Sequence, residues 1–260
     1  MPYLQTNDII TYYEVTGKGE PLVFIHGLGS SSEDWKFQID YFSKYYNVLV
    51  YDIRGHGKSQ KPIQKYSIEQ FAKDCYELIL QLGFSTIHVV GFSLGGTIAF
   101  QLAVMHLNII KSLTIVNSLP EVRIKDYGII FKIKLRLLLV RVFGLYITSL
   151  ILSKQLFSGR NNAQIRREFI RKWHKNDKKA YLASVKSLIG WSVKPYLNLI
   201  NVPTLIISSE FDYTSVESKK EIVRMLPKAQ LIIVKNSRHA LPVENPIEFN
   251  KILMNNLIAN

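Results

Sequence analysis

Cysteine is almost absent from this chain: Cys75 is the single one in 260 residues. One thiol cannot close a disulfide within the chain, which suits a reducing compartment, and the expected location is the cytoplasm. Cys75 sits in the helical pattern Ile68 to Leu82 and reads as a small buried apolar residue, not a nucleophile. There is no cysteine cluster and no His-x-x-x-His pair, so no metal site is expected. The first residues lack a basic patch followed by an apolar run, so no signal peptide is expected. Long apolar runs are missing too. The most apolar stretch, Gly128 to Ser153, is interrupted by Lys132, Lys134, Arg136 and Arg141, and its longest uncharged part is the 12 residues Val142 to Ser153. Crossing a bilayer takes about 20 apolar residues, so no transmembrane segment is expected.

What is present is a globular composition, 47% hydrophobic and 20% charged, with a net charge of +13. The charge is unevenly spread. Glu121 to Pro195 holds 17 Lys/Arg against 4 Asp/Glu, so the entire excess lies there and the rest of the chain is balanced.

Eight short runs read as strands. Six are apolar, rich in Val and Ile, and bounded by turn residues: Leu22 to Ile25, Val48 to Tyr51, Ile87 to Val90, Leu113 to Val116, Thr204 to Ile207 and Leu231 to Val234. Two hairpin-like strands precede them, Leu4 to Thr6 and Ile9 to Val15. Helical patterns alternate with the apolar runs, among them Thr97 to Met105 and the stretch from Ser67, which with Gln70 resembles a capping box, to the stop at Gly83. This rhythm predicts an α/β fold with a mostly parallel sheet. It breaks between Leu119 and Leu197, which reads as helices inserted between two sheet strands.

Ligands of such sheets gather at the carboxyl ends of the strands. There the chain carries His26-Gly27-Leu28-Gly29-Ser30, then Asp52-Ile53-Arg54-Gly55-His56-Gly57-Lys58-Ser59, then Gly91-Phe92-Ser93-Leu94-Gly95-Gly96, and later Asp212 and His239. The third fits G-x-S-x-G between an apolar strand and a helix. In such a turn the serine is lifted out at a helix N-terminus whose amides favour a developing anion. The first lacks the third glycine of a dinucleotide fingerprint, and no cofactor is expected.

These motifs, their order Ser then Asp then His, and the run His239-Ala240-Leu241-Pro242-Val243-Glu244-Asn245-Pro246 together resemble the α/β-hydrolase superfamily, in the branch with a helical cap after the sixth strand. The resemblance covers nearly the whole chain. It implies an eight-stranded, mostly parallel sheet flanked by helices, a core domain of residues 1–118 and 198–260, and a cap of residues 119–197. It implies Ser93 as nucleophile, His239 as its base, Asp212 as the group that orients His239, and the backbone N–H groups of Leu28 and Leu94 as the oxyanion hole. Three departures are visible: Ser209 stands where the family shows Gly three residues before the acid, no proline follows Asp212 closely, and Ser237-Arg238 precede His239 in place of Gly-x. Glu210 and Glu217 are rivals of Asp212. A serine at 93 speaks against relatives that use aspartate there, the dehalogenases and epoxide hydrolases.

The implied activity is hydrolysis of a carboxylic ester, a small-molecule ester being the expected substrate. The same triad also serves enol-lactone or carbon–carbon bond cleavage and peracid formation, and some relatives are non-catalytic receptors. The basic segment suggests an acidic partner, either a carrier protein whose acyl methyl ester is the substrate or an anionic lipid surface. No recognition motif for nucleic acid accompanies it. With Lys132 at 0° and 100° per residue, Lys134 falls at about 200°, Arg136 at about 40° and Arg141 at about 180°, two opposite sides of a helix. A helix lying on a membrane gathers its charges on one side. The denser basic run is Arg166, Arg167, Arg171, Lys172, Lys175, Lys178 and Lys179.

Overall fold

In the computed structural model, which describes residues 2–158 and 162–259, the apolar runs are the strands of one eight-stranded sheet. They are β1 (Tyr3–Thr6), β2 (Ile9–Thr16), β3 (Pro21–Ile25), β4 (Asn47–Tyr51), β5 (Ile87–Phe92), β6 (Ile110–Val116), β7 (Thr204–Ser209) and β8 (Ala229–Val234). Their spatial order is β1-β2-β4-β3-β5-β6-β7-β8. β1, β2 and β4 pair antiparallel, and β4 through β8 run parallel.

Period-two alternation sends successive side chains of each parallel strand to opposite faces, and both faces are covered. Val23 and Ile25 join the cluster formed with α2 (Ile68–Gln81) and α3 (Leu94–Met105). Leu22 and Phe24 join the cluster containing Phe42 of α1 (Lys36–Phe42) and Phe249 and Leu253 of α9 (Pro246–Ile258). That is why these strands read as unbroken apolar runs. Cys75 is buried in the first cluster, and burial pushes its thiol up to about 12.

Two helix starts differ in detail from the sequence reading. The Ser67 hydroxyl accepts from the Gln70 N–H as expected, but the Gln70 side chain reaches forward to Asp74, so the box is half formed. α3 begins at Leu94, three residues earlier than the apolar periodicity suggested, because the turn at Ser93 leads straight into the first helical turn.

Between β6 and β7 lie α4 (Tyr127–Leu156), α5 (Ala163–Trp173) and α6 (Lys178–Lys186), with no sheet strand among the described residues. Leu137, Val140, Leu145, Leu152, Trp173, Tyr181 and Val185 form a separate small core for these helices. The charges at Lys132, Lys134, Arg136 and Arg141 do not end the helix. By length and composition α4 is long and apolar enough to cross a membrane. It is bent at Gly144, whose φ of 73° and ψ of −179° are not helical, so its arms cover residues 127–143 and 145–156. Each arm is shorter than the roughly 20 residues a span requires. The remaining helices are α7 (Val216–Met225) and α8 (Leu241–Glu244).

Strand order reverses beside β3, which lies between β4 and β5. The loops after β3 and β5 therefore leave the same sheet edge side by side, where an α/β sheet forms its ligand crevice.

Candidate active site

Ser93 stands between β5 and α3 with φ 54° and ψ −115°. A left-handed φ is strained for a serine, and the surroundings hold it there. The Ser93 N–H donates to the Val116 carbonyl at 3.0 Å, and the Ser93 carbonyl accepts from the Gly96 N–H and the Ser118 hydroxyl. The flanking glycines are required by contact. A Cβ on Gly91 would lie 2.3 Å from the Gly95 carbonyl oxygen, and one on Gly95 would lie 2.0 Å from that of Ile25.

The three distant motif residues meet at this turn. Ser93 Oγ donates to His239 Nε2 at 2.9 Å, and His239 Nδ1 donates to Asp212 Oδ1 at 2.5 Å. Ser93 comes from the β5 end, Asp212 follows β7, and His239 follows β8. The rivals of Asp212 point elsewhere: Glu210 pairs with Lys235 and Glu217 with Lys220, both at the surface. Leu28 and Leu94 line the same cavity as Ser93. Leu94 is the first residue of α3, where an N–H has no intrahelical acceptor. His26 supports the Leu28 loop: its Nε2 accepts from the Ile53 N–H, which leaves Nδ1–H to donate to the Gly27 carbonyl. Asp52, Arg54 and His56 are tied into a buried turn, with Arg54 gripping Asp74 and Asp52 accepting from the Ser32 and Lys58 N–H groups.

Three further residues shape this centre and escaped the sequence reading. Lys219, on α7, is fully buried and donates to Asp212 Oδ2 at 2.6 Å, with the Thr214 hydroxyl on the same oxygen. Its signal was present: Lys219 occupies an inward position of α7 together with Ile222, three residues on. Asn117, at φ 48°, accepts from the Ser209 N–H and donates to the Ser209 hydroxyl and the His239 carbonyl, each at 2.8 Å. It thus fastens β7 to the loop that carries His239. Tyr213 stacks on the His239 ring with centroids 3.8 Å apart.

The electrostatics suit a neutral base beside an ionised acid. Burial alone would raise Asp212. The hydrogen bond from His239 and the Lys219 ammonium outweigh it and hold the carboxyl at about 2. Burial drives His239 below the ordinary histidine value, with Asp212 opposing and the charges of Lys219 and Arg136 adding to the fall. A base must be unprotonated to accept the serine proton. The acid limb of a kcat/KM profile is therefore expected below the ordinary histidine value of about 6.5. A limb at or above that value in steady-state assays contradicts this electrostatic picture.

The site opens into a cavity of about 1190 Å³ lined by the sheet loops and by α4 and α5. That is larger than the roughly 300–1,000 Å³ of ordinary small-molecule sites. Asn176, just after α5, donates to the Gly29 carbonyl at 2.8 Å, which ties the roof to the loop carrying Leu28.

Residues 20–138 match the family model described as alpha/beta hydrolase fold. Over 98% of this chain and 97% of its own length, the protein of Azorhizobium caulinodans named as carbamate hydrolase RutD is 27% identical. The crystal structure of the enol-lactonase from Burkholderia xenovorans superposes with a TM-score of 0.90 at 22% identity, over 99% of this chain and all of that one. A thermophilic esterase from Thermogutta terrifontis, with malate bound, superposes with a TM-score of 0.89 at 22% identity, over 99% and 97%. At such identity these structural likenesses speak for the fold.

Proposed function

We propose that this hydrolase, whose residues 20–138 match the alpha/beta hydrolase fold model, is a member of that superfamily and cleaves a carboxylic ester through an acyl-enzyme on Ser93. The observation that carries the proposal is the continuous hydrogen-bonded line from Ser93 through His239 to Asp212. Ser93 Oγ attacks the ester carbonyl while His239 Nε2 takes its proton. The oxygen of the tetrahedral intermediate lies against the Leu28 and Leu94 N–H groups. His239 then protonates the leaving alkoxide as the acyl carbon–oxygen bond breaks. Water repeats the sequence on the acyl-enzyme, giving acid, alcohol and free Ser93. Asp212 keeps the imidazole in the tautomer that accepts at Nε2 and stabilises the imidazolium. Each oxyanion donor contributes about 3 kcal/mol to transition-state stabilisation.

A lactone is an internal ester and follows the same steps, so the enol-lactonase likeness is compatible with this reading. The experiment is labelling with a fluorophosphonate probe together with turnover of p-nitrophenyl esters of graded acyl length. Labelling confined to Ser93, with ester turnover, is the expected result. Equal labelling of wild type and Ser93→Ala rejects the nucleophile.

A further inference from the structure

Arg136 projects from α4 into the same cavity as Ser93, His239 and Tyr213. It has no carboxylate partner among the described residues, unlike Lys172 at the rim, which pairs with Glu33 and Asp34. Its neighbours are the phenols of Tyr181 and Tyr213. A guanidinium stays charged at any physiological pH and offers a planar fork matched to a carboxylate. Enclosing such a charge without a counter-ion is unfavourable, and an anionic ligand removes that penalty.

Resting on the ester-hydrolase reading, we propose that Arg136 binds a carboxylate carried by the substrate, so that the preferred substrates are monoesters or lactones of dicarboxylic acids. The carboxylate anchors the distant end of the molecule while its ester carbonyl meets Ser93. Charge-assisted hydrogen bonds of this kind give roughly 10- to 200-fold in binding. The test compares mono-p-nitrophenyl esters of succinate, glutarate and adipate with neutral esters of equal length, in wild type and Arg136→Gln. Wild type is expected to prefer at least one carboxylate ester, and Arg136→Gln to reduce that preference about 30-fold or more. Glutarate binding to Ser93→Ala, followed by calorimetry, reads the subsite without catalysis and is expected to vanish in Ser93→Ala/Arg136→Gln. Neutral-ester turnover with no carboxylate preference and no glutarate binding overturns this inference and leaves the triad reading standing. Glutarate binding without any ester turnover or Ser93 labelling does the reverse.

Tyr127, Phe131, Leu138 and Val142 are between 55 and 82% exposed and none of them lines the cavity. At 100° per residue with Phe131 at 0°, they fall within about 40° of one line. Lys134 and Arg141 flank that line at about −60° and −80°, while Lys132 at about 100° and Arg136 at about 140° lie on the cavity side. Lys134 and Arg141 thus border the apolar stripe on the outer face, opposite Lys132 and Arg136, as their angular spacing expects. A second copy is a poor occupant, because both cap segments carry the same large positive charge. We infer that the outer face of α4 seats on an anionic lipid bilayer, its apolar stripe in the headgroup boundary and its flanking cations on lipid phosphates. Co-sedimentation with phosphatidylcholine vesicles, with and without phosphatidylglycerol, tests it. Binding is expected only with phosphatidylglycerol, and is expected to fall at least tenfold in high salt and in Phe131→Glu/Leu138→Glu. Equal behaviour of both vesicle types, or a dimer in sedimentation velocity that Phe131→Glu/Leu138→Glu dissociates, overturns it. So does capture of an acidic carrier protein through this face with no vesicle binding.

Discussion

Replacing Ser93 with alanine is expected to lower kcat/KM on a neutral ester by about 10⁴- to 10⁶-fold. The loss is that large because the variant removes the only atom that joins the acyl group, while His239 keeps a vacant Nε2 and no proton to take. Under the proposed mechanism some catalysis over water should persist, since the Leu28 and Leu94 N–H groups would still be there to meet a developing oxyanion. Alanine tolerates φ 54° no better than serine does, and the backbone bonds to Val116 and Gly96 are untouched. The folded state should therefore be nearly as stable as wild type. Steady-state kinetics and a denaturant midpoint check both halves. A variant retaining more than about one hundredth of the activity rules out Ser93 as the nucleophile.

Asp212→Asn is expected to damage rate and stability by separate routes. The rate should fall about 10⁴-fold, because an amide cannot hold His239 in the accepting tautomer or stabilise its imidazolium. Stability should fall because Lys219, fully buried, loses the carboxylate 2.6 Å away. Stranding one member of a buried ion pair costs about 3–5 kcal/mol. The two effects separate in Asp212→Asn/Lys219→Met. Removing the stranded ammonium should recover most of the stability and none of the rate, a coupling typical of residues in direct contact. Urea unfolding of the two single variants and the double variant measures this. If the double variant is as unstable as Asp212→Asn, the ion pair is not the source of the loss. Lys219→Met alone removes a positive charge that opposes protonation of His239. Its acid limb should therefore move to higher pH.

The readable part of the site was local. Gly91 and Gly95 flank Ser93 because a strand, a sharp turn and a helix meet within five residues, and a Cβ at either glycine would strike backbone. Asp212 and His239 were readable because each follows an apolar strand run. Lys219 passed unread although it shares the inward face of α7 with Ile222, since a lysine in an amphipathic helix ordinarily faces water and its partner lies on another element. Asn117 was hidden for the same reason: its bonds reach Ser209 and His239, each about a hundred residues away along the chain.

The strand runs, the alternation that makes the sheet parallel, the turn at Ser93 and the confinement of all net charge to one segment follow from residue order alone. These depend on neighbours within a few positions, where steric and hydrophobic rules act directly on residue order. Which side of α4 faces the cavity follows from long-range packing instead. Angular spacing sets the relative directions of Lys132, Lys134, Arg136 and Arg141 but not their origin. Packing of Leu137 and Val140 against the small core of α5 and α6 turns Arg136 toward Ser93 and leaves Lys134 and Arg141 outside.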